Sequence, residues 1–158
     1  MAKERGSAIC VRRAEPQDLD TVVEFNAALA WESEGKRLDP ERLRAGVAAL
    51  FQDPGRGFYL VAQGSKMVLG QLLITKEWSD WRNGDFWWIQ SVYVNPEFRR
   101  QGVYRALHNH VLAEAKKAGD VCGVRLYVDR DNHVARRVYA SLDMQQSHYD
   151  LLEIDFVL

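Results

Sequence analysis

The feature that most constrains this chain is a change of periodicity within residues 92–107. Residues 92–94 are β-branched or aromatic and predict the end of a strand. Pro96 stops that strand because proline donates no hydrogen bond to a sheet. After Gly102, apolar side chains recur at the spacing of one helix face: Val103, Ala106, Leu107, Val111 and Ala115. The stretch therefore predicts a strand, a short loop and a helix.

The loop between this strand and helix has the character of an anion site. Free backbone N–H groups and the positive end of a helix dipole meet where a helix begins, which suits a phosphate or pyrophosphate. Arg99 and Arg100 add positive charge there. A P-loop is excluded because the sequence has no Lys-Ser or Lys-Thr pair, and a dinucleotide fingerprint is excluded because the loop has one glycine. A plain surface loop with solvated arginines is the remaining alternative.

Residues 99–103, Arg-Arg-Gln-Gly-Val, resemble the acetyl-coenzyme A loop of the GNAT superfamily of N-acetyltransferases. That loop reads Gln/Arg-x-x-Gly-x-Gly/Ala and follows a strand that ends in Val-x-Pro, as residues 94–96 do here. Tyr104 departs from the usual Gly or Ala, so its ring must point away from the pyrophosphate or lie beside it. The resemblance implies acetyl-CoA as cofactor, contacted by Val92, Val94, Arg99, Arg100, Gln101, Gly102, Val103, Tyr104 and Arg105.

A second motif about thirty residues downstream resembles the same family. Its signature is Asn-x-x-Ala-x-x-x-Tyr-x-x-x-Gly-Phe, which Asn132, Ala135 and Tyr139 match. Asp143 and Met144 stand in place of Gly and Phe. Asn132 begins a predicted helix, so its side chain either caps that helix or reaches the cofactor. Tyr139 is either a core tyrosine or a functional one.

The periodicity along the chain predicts strands and helices in a definite order. The predicted strands are residues 8–13, 58–62, 67–78, 86–94 and 121–128, with one or two more in 144–158. The predicted helices are residues 16–34, a second helix that starts at Pro40 after the N-cap Asp39, a third from Gly102 to Lys117, and 132–142. Leu152, Ile154, Phe156 and Leu158 are expected on one face of the last strand.

This order predicts an α/β protein with one mixed, mostly antiparallel sheet and helices on both faces. Residues 1–158 are expected to form a single domain. The strands that contain Val94 and Val124 are joined through a helix, so they are expected to be parallel neighbours. The GNAT resemblance implies that these strands splay apart at a bulge, and that the pantetheine arm lies between them.

Bulk composition limits the partners and the compartment. Net charge is −1 with 27% charged residues, which favours neither nucleic acid nor an anionic membrane. Cys10 and Cys122 have no metal-site or redox spacing, so we expect no metal and a reduced pair. No secretory leader or membrane span is predicted, which favours the cytoplasm. Oligomeric state is left open, with a homodimer allowed.

Acetyl transfer to an amine needs a neutral nucleophile, a polarised carbonyl and a proton for the departing thiolate. The resemblance assigns that proton to Tyr139, and direct attack needs no covalent enzyme intermediate. Some family members carry a glutamate where this chain has Gln90, which can hold a water or the acceptor but cannot take a proton. The base therefore stays unidentified, with Glu32, Glu34, Asp80 and Asp85 as candidates.

The expected acceptor is a small primary amine or polyamine. Four tryptophans lie within residues 78–88, and these either pack under a hairpin or form an aromatic wall that attracts an ammonium group. Candidate acceptor contacts are Trp31, Glu32, Asp80 and Trp81. A catalytically silent acyl-CoA-binding module, an acyltransferase with a longer donor and an unrelated nucleotide-binding domain remain alternatives.

Overall fold

Five strands form one mixed sheet in the order β1-β2-β3-β4-β5 in the computed structural model, which describes residues 8–157. The first four strands pair antiparallel in sequence order, and β4 pairs parallel with β5. The strands are β1 Cys10–Arg13, β2 Gly57–Gln63, β3 Val68–Ser79, β4 Gly84–Val94 and β5 Val121–Leu126. The sequence prediction of a mixed, mostly antiparallel sheet with parallel β4 and β5 is confirmed.

The helices follow the predicted order. They are α1 Leu19–Glu34, α2 Pro40–Gln52, α3 Val103–Ala118 and α4 His133–Ala140, with 3-10 turns at Pro16–Asp18 and Pro96–Phe98. Asp39 caps α2 by accepting a hydrogen bond from the Arg42 N–H at 2.7 Å, and Pro40 takes the first helical position. Gly119 ends α3 with φ +80°, a left-handed conformation that glycine adopts without a Cβ clash.

The two faces of the sheet are covered by different helices. On one face, α3 contributes Val103, Leu107, Val111 and Ala115 to the larger apolar core, where they pack with Leu60, Leu72, Ile74, Trp87 and Ile89 of the sheet. On the other face, Val22 of α1 and Val47 of α2 pack around Tyr59. Trp87 is buried in the larger core while its neighbour Trp88 is half-buried on the opposite face, as strand alternation requires.

The chain divides into two units, one up to Tyr127 and one from Val128. The first contains the whole sheet and α1–α3. The second contains α4 and then residues 141–157, which belong to no helix or strand. The prediction of one or two final strands in 144–158 is therefore wrong for the described part, and Leu158 lies outside it. Across residues 8–157, each helix is too short or too polar to traverse a lipid bilayer.

The C-terminal prediction failed because an apolar alternation favours a strand only where a neighbouring strand supplies hydrogen bonds. Leu152, Ile154 and Phe156 do alternate with acidic residues, but they are highly exposed in the single chain. The alternation of apolar and acidic residues therefore indicates a tendency to form a strand, but it does not show which strand would pair with this segment.

Candidate active site

Strand β4 contains a bulge close to its end. Gln71 of β3 pairs with Tyr93 and Leu73 pairs with Gln90, so Ser91 and Val92 together face the single residue between. Ser91 has φ +48°, which is uncommon for a residue with a side chain. The extra residue reverses the alternation, so the side chains after the bulge exchange faces relative to those before it.

A buried polar chain reaches the bulge from the α1 face of the sheet. Gln71 is fully buried, and its Nε2 donates to Asn26 Oδ1 at 2.9 Å and to the Ser91 carbonyl oxygen at 3.3 Å. Asn26 Nδ2 in turn donates to the Tyr59 hydroxyl at 3.0 Å. Since burying unpaired polar groups is costly, this chain gives the bulge a specific anchor in the core.

The bulge coincides with the point where β5 leaves β4. Their last paired residues are Ile89 and Leu126, and β4 continues for five residues beyond that pair. Val124 is still paired, with Trp87, so the divergence begins two residues later than Val124. Within the described part of the first unit, residues 90–94 therefore present a backbone edge without a β5 partner, as the predicted splay requires.

The loop after β4 turns twice through left-handed backbone before α3 begins. Arg100 has φ +62° and Gly102 has φ +83°. Such conformations turn successive N–H groups toward one side, which favours binding of an anion. Among residues 8–157, no side chain caps the first turn of α3, and a Cβ at Gly102 would meet no atom within 4 Å. The loop therefore has open space beside the N-terminal end of α3, where the positive end of the helix dipole lies.

The residues that follow Gly102 divide between core and surface. Val103 is buried in the larger core, whereas Arg105 is exposed. The Tyr104 ring packs against that core, and its hydroxyl lies 3.3 Å from His108 Nδ1, one turn along α3. The tyrosine that departs from the family pattern is thus directed along the helix, and the loop backbone keeps its N–H groups.

Arg99 is exposed like Arg100 and Gln101, but protein groups hold its side chain in place. Its Nη2 donates to Glu32 Oε2 at 2.6 Å, and its Nε donates to the Val94 carbonyl oxygen at 2.9 Å. The Tyr93 hydroxyl donates to Glu32 Oε1 at 2.8 Å. These contacts join the end of α1 to the end of β4. The Arg99 side chain is therefore bound by protein groups.

The same contacts define the charge state of Glu32. Hydrogen bonds from Arg99, and then from Tyr93, hold the pKa of Glu32 below its usual value. Burial and the adjacent carboxylate raise the pKa of Tyr93. Glu32 is therefore a stably ionised carboxylate, which makes it a weak proton acceptor at neutral pH.

Gln90 lies on the α1 face just before the bulge. Its Nε2 donates to Thr75 Oγ1 at 2.5 Å, which orients the amide and leaves its oxygen as an acceptor. Two residues earlier on the same face, Trp88 stacks on Tyr127 with ring centroids 4.4 Å apart. An oriented amide oxygen beside an aromatic pair suits an amine that carries apolar carbon.

The four candidate acceptor residues do not form one wall. Glu32, and with it the exposed Trp31, lies at the Val94 end of β4, where Arg37 stacks over the Trp31 ring at 5.0 Å. Asp80 and the exposed Trp81 occupy the turn after Ser79, at the opposite end. At strand spacing, the two ends of β4 are roughly 30 Å apart. The grouping failed because Trp81 lies in the turn between β3 and β4, whereas Trp31 lies on α1 beside the other end of β4.

Asn132 and Tyr139 belong to the second unit. Asn132 Oδ1 accepts from the Ala135 N–H at 3.0 Å, so its side chain caps α4. Tyr139 lies in the last turn of α4, and burial raises the pKa of its phenol. Asp143 has φ +63° just beyond the helix, where the family signature has glycine. The second motif therefore builds one capped helix with a protonated tyrosine.

Sequence reasoning missed the residues that hold the bulge. Gln71, Asn26 and Ser91 were not predicted as site residues, and neither was Thr75. A signal was available for Gln71, since it is the single polar side chain in the run Val68–Ile74 of β3. A glutamine among apolar strand residues indicates a buried side chain that forms hydrogen bonds within the core.

Comparison with known proteins identifies the family to which this fold is similar. The family model described as the acetyltransferase (GNAT) family matches residues 23–144. A mycothiol acetyltransferase of Actinosynnema mirum is 30% identical over 145 residues, which are 90% of this chain and 46% of that protein. The chain thus spans about half the length of that relative.

Solved structures agree on the fold. A crystal structure of a possible acetyltransferase from Clostridium difficile 630 has a TM-score of 0.88 and 43% identity, covering 95% of this chain and 99% of that one. A predicted acetyltransferase from Clostridium acetobutylicum, solved with acetyl-CoA, has a TM-score of 0.75 at 17% identity, covering 94% and 96%. Together with the bulged and splayed strands, these matches show that the chain belongs to the GNAT family of acetyltransferases.

Proposed function

We propose that this protein transfers an acetyl group from acetyl-CoA to a small primary amine by direct attack. The observation that carries the proposal is the bulge at Ser91 and Val92, placed where β5 leaves β4 and one loop before an uncapped helix. A free strand edge beside an anion-binding loop fits a long cofactor with an amide-containing arm and a pyrophosphate. Family membership and a neighbour solved with acetyl-CoA support the same cofactor.

The loop backbone from Arg100 to Arg105 is assigned to the pyrophosphate. Gly102 allows close approach because it carries no Cβ, and the exposed Arg100 and Arg105 add positive charge. The free edge at Val92 and Val94 is assigned to the pantetheine amides. Arg99 donates to the Val94 carbonyl, so a pantetheine amide would share that oxygen with Arg99 or displace it.

In the chemical step the amine nitrogen attacks the thioester carbonyl carbon, and the carbon–sulfur bond breaks. A backbone N–H near Val92 stabilises the developing oxyanion. The amine gives up one proton to solvent, because neither nearby side chain is a suitable base. Gln90 cannot accept a proton, and Glu32 is a weak base since Arg99 lowers the pKa of its carboxylate. Tyr139 protonates the leaving thiolate, which its raised phenol pKa permits because the group stays protonated at neutral pH.

The acceptor is assigned to the α1 face of the sheet. Gln90 presents its amide oxygen there, and Thr75 fixes its orientation. The stacked Trp88 and Tyr127 offer an aromatic surface to the carbon chain or to the ammonium form before deprotonation. This site replaces the wall expected from Trp31 and Trp81.

The test is release of coenzyme A thiol from acetyl-CoA with a panel of primary amines, diamines and aminoglycosides. We expect turnover above hydrolysis with at least one small amine, and slower turnover with longer acyl donors. Calorimetric titration with acetyl-CoA runs in parallel. Tight acetyl-CoA binding without turnover of any amine would instead identify a silent acyl-CoA-binding module, and faster turnover of a longer acyl-CoA would reassign the donor.

A further inference from the structure

We propose that the amine acceptor carries a carboxylate at its far end, that the guanidinium of Arg125 binds this carboxylate, and that the acceptor is a long ω-amino acid. This assignment rests on the acetyl transfer proposed above and names the substrate class of the same site. Every residue that supports it belongs to the first unit. The supporting feature is a stacked arginine beside the aromatic surface next to Gln90.

Phe86 of β4 is buried, yet among the described residues it belongs to neither apolar core. It lies two residues before Trp88 and therefore shares the α1 face. Its ring lies over Gly123 of β5, where a Cβ would come within 2.6 Å of it. The guanidinium carbon of Arg125 lies 3.5 Å from the ring centroid, and that of Arg82 lies 5.0 Å from it. Near β5 this face is therefore covered in part by guanidinium groups, whereas α1 and α2 cover β2 with apolar side chains.

Arg125 has hydrogen-bond donors that the described chain does not use. Its Nη1 donates to Glu77 Oε1 at 2.8 Å, which is its one hydrogen bond within residues 8–157. A guanidinium has five N–H donors in one plane, so a second carboxylate can bind at another edge of the group. The place of Arg125 over the Phe86 ring limits how its guanidinium turns, which favours binding of a planar carboxylate.

The local charge favours an anionic ligand. Arg82 and Arg125 flank one ring, and Glu77 is the one carboxylate that forms an ion pair with either of them in the described ranges. Asp80, in the same turn as Arg82, accepts from the Trp81 N–H instead. An acceptor with ammonium groups at both ends would have to take Glu77 away from Arg125 and lie beside two arginines. A carboxylate meets no such conflict.

The span from Gln90 to Arg125 sets the length of the acceptor. Arg125 pairs with Trp88, which lies two residues before Gln90 on β4. At strand spacing, the two side chains are roughly 8–12 Å apart. The ring of Trp88, stacked on Tyr127, adjoins both and offers an apolar surface to a carbon chain. An amine and a carboxylate joined by about seven methylene groups, which extend to ~10 Å, fit this span.

The first test compares 8-aminooctanoate with octylamine, which has the same chain length and the same amine but no carboxylate. We expect kcat/KM for 8-aminooctanoate to be about 10–100-fold higher, the range for a charge-assisted hydrogen bond. The advantage should lie in the acceptor KM, because a contact remote from the reacting carbon stabilises ground state and transition state alike. 4-Aminobutyrate is too short to reach Arg125 and should show no such advantage over butylamine.

The second test changes Arg125. Arg125→Met keeps an apolar side chain over Phe86 and removes the charge, so the 8-aminooctanoate preference over octylamine should disappear. Arg125→Lys should keep part of the preference, because an ammonium attracts a carboxylate without the paired donors of a guanidinium. Arg44→Met is the matched control, since Arg44 also binds one carboxylate, that of Asp20 at 2.7 Å, and lies on α2. A preference that persists in Arg125→Met would overturn the proposal.

A binding measurement separates this proposal from the acetyl transfer itself. Calorimetric titration of the coenzyme A complex with 8-acetamidooctanoate, the expected product, requires no turnover. Binding that Arg125→Met weakens, without turnover of any amine, would support the carboxylate site and reject the acetyl transfer. Turnover of octylamine without a preference for 8-aminooctanoate, or a preference for 1,8-diaminooctane that Glu77→Gln abolishes, would overturn the carboxylate site and leave the acetyl transfer standing. Neither binding nor turnover would overturn both.

Discussion

Gln71 Nε2 donates a hydrogen bond to the Ser91 carbonyl oxygen at 3.3 Å, linking a fully buried side chain of β3 to the bulged residue of β4. At this contact Ser91 has a left-handed φ, and two residues of β4 face one residue of β3. The backbone edge assigned to the thioester is therefore positioned from inside the core.

Replacing Gln71 tests this positioning. Gln71→Met keeps similar volume but removes both hydrogen bonds, so we expect a loss of about 1–3 kcal/mol in the free energy of unfolding from the unpaired groups left behind. We also expect kcat to fall about 10–100-fold with a smaller change in the acetyl-CoA KM, because a displaced Val92 N–H weakens transition-state contacts. Tyr59→Phe is the control, since it removes the far end of the same chain beyond Asn26. Equal kcat losses in both variants would assign Gln71 to stability alone.

Gly102 provides the sharpest test of the pyrophosphate loop. Gly102→Val should reduce acetyl-CoA affinity strongly in calorimetric titration, because a branched side chain fills the space beside the loop N–H groups. Gly119→Val is a matched control, since Gly119 also has positive φ and a Cβ there would meet no atom within 4 Å among the described residues. Both should lose about 1–2 kcal/mol of stability from the left-handed backbone. Equal affinity in the two variants would remove the loop from the binding site.

Glu32 is expected to organise the site without acting as the base. Glu32→Gln should retain kcat within about tenfold and keep the acidic limb of the pH–rate profile, because Arg99 already holds the pKa of this carboxylate low. The stability change should be below about 1 kcal/mol, since the ion pair with Arg99 is largely solvent-exposed. A loss of kcat beyond about 100-fold with an altered acidic limb would make Glu32 the base.

Tyr139→Phe tests the general acid. We expect kcat to fall about 10–1000-fold while acetyl-CoA affinity and the circular dichroism spectrum stay unchanged. Tyr127→Phe is a useful comparison because the stacked ring is kept and only the hydroxyl is lost. If Tyr139→Phe turns over the best amine at the wild-type rate, the proton comes from another donor.

His108 should make stability depend on pH. It is buried in α3, and burial lowers the pKa of its imidazole, so the folded protein keeps it neutral. The unfolded chain takes up that proton near pH ~6.5. The stabilising contribution is therefore present above about pH 6.5 and is lost as the pH falls below it, by at most about 1.4 kcal/mol per pH unit. Urea unfolding of His108→Gln between about pH 7.5 and 5 should show a shallower decline in stability than wild type.

Local chemistry along the sequence determined most of the first unit. Asp39 and Pro40 begin α2, Gly119 ends α3, and the change of period around Gly102 separates β4 from α3. These signals act within a few residues, so they can be read without knowing the fold. The family resemblance came from the same kind of local spacing.

The tertiary structure decided which distant groups meet. Glu32 and Arg99, 67 positions apart, form an ion pair, whereas Trp31 and Trp81 lie toward opposite ends of β4. The anchoring of Ser91 by Gln71 depends on the register of β3 against β4. The final strand predicted around Ile154 does not form within the described residues, where no strand of the sheet pairs with it. Hydrogen bonds between strands and ion pairs between elements depend on positions in space, which the spacing of residues along a chain does not determine.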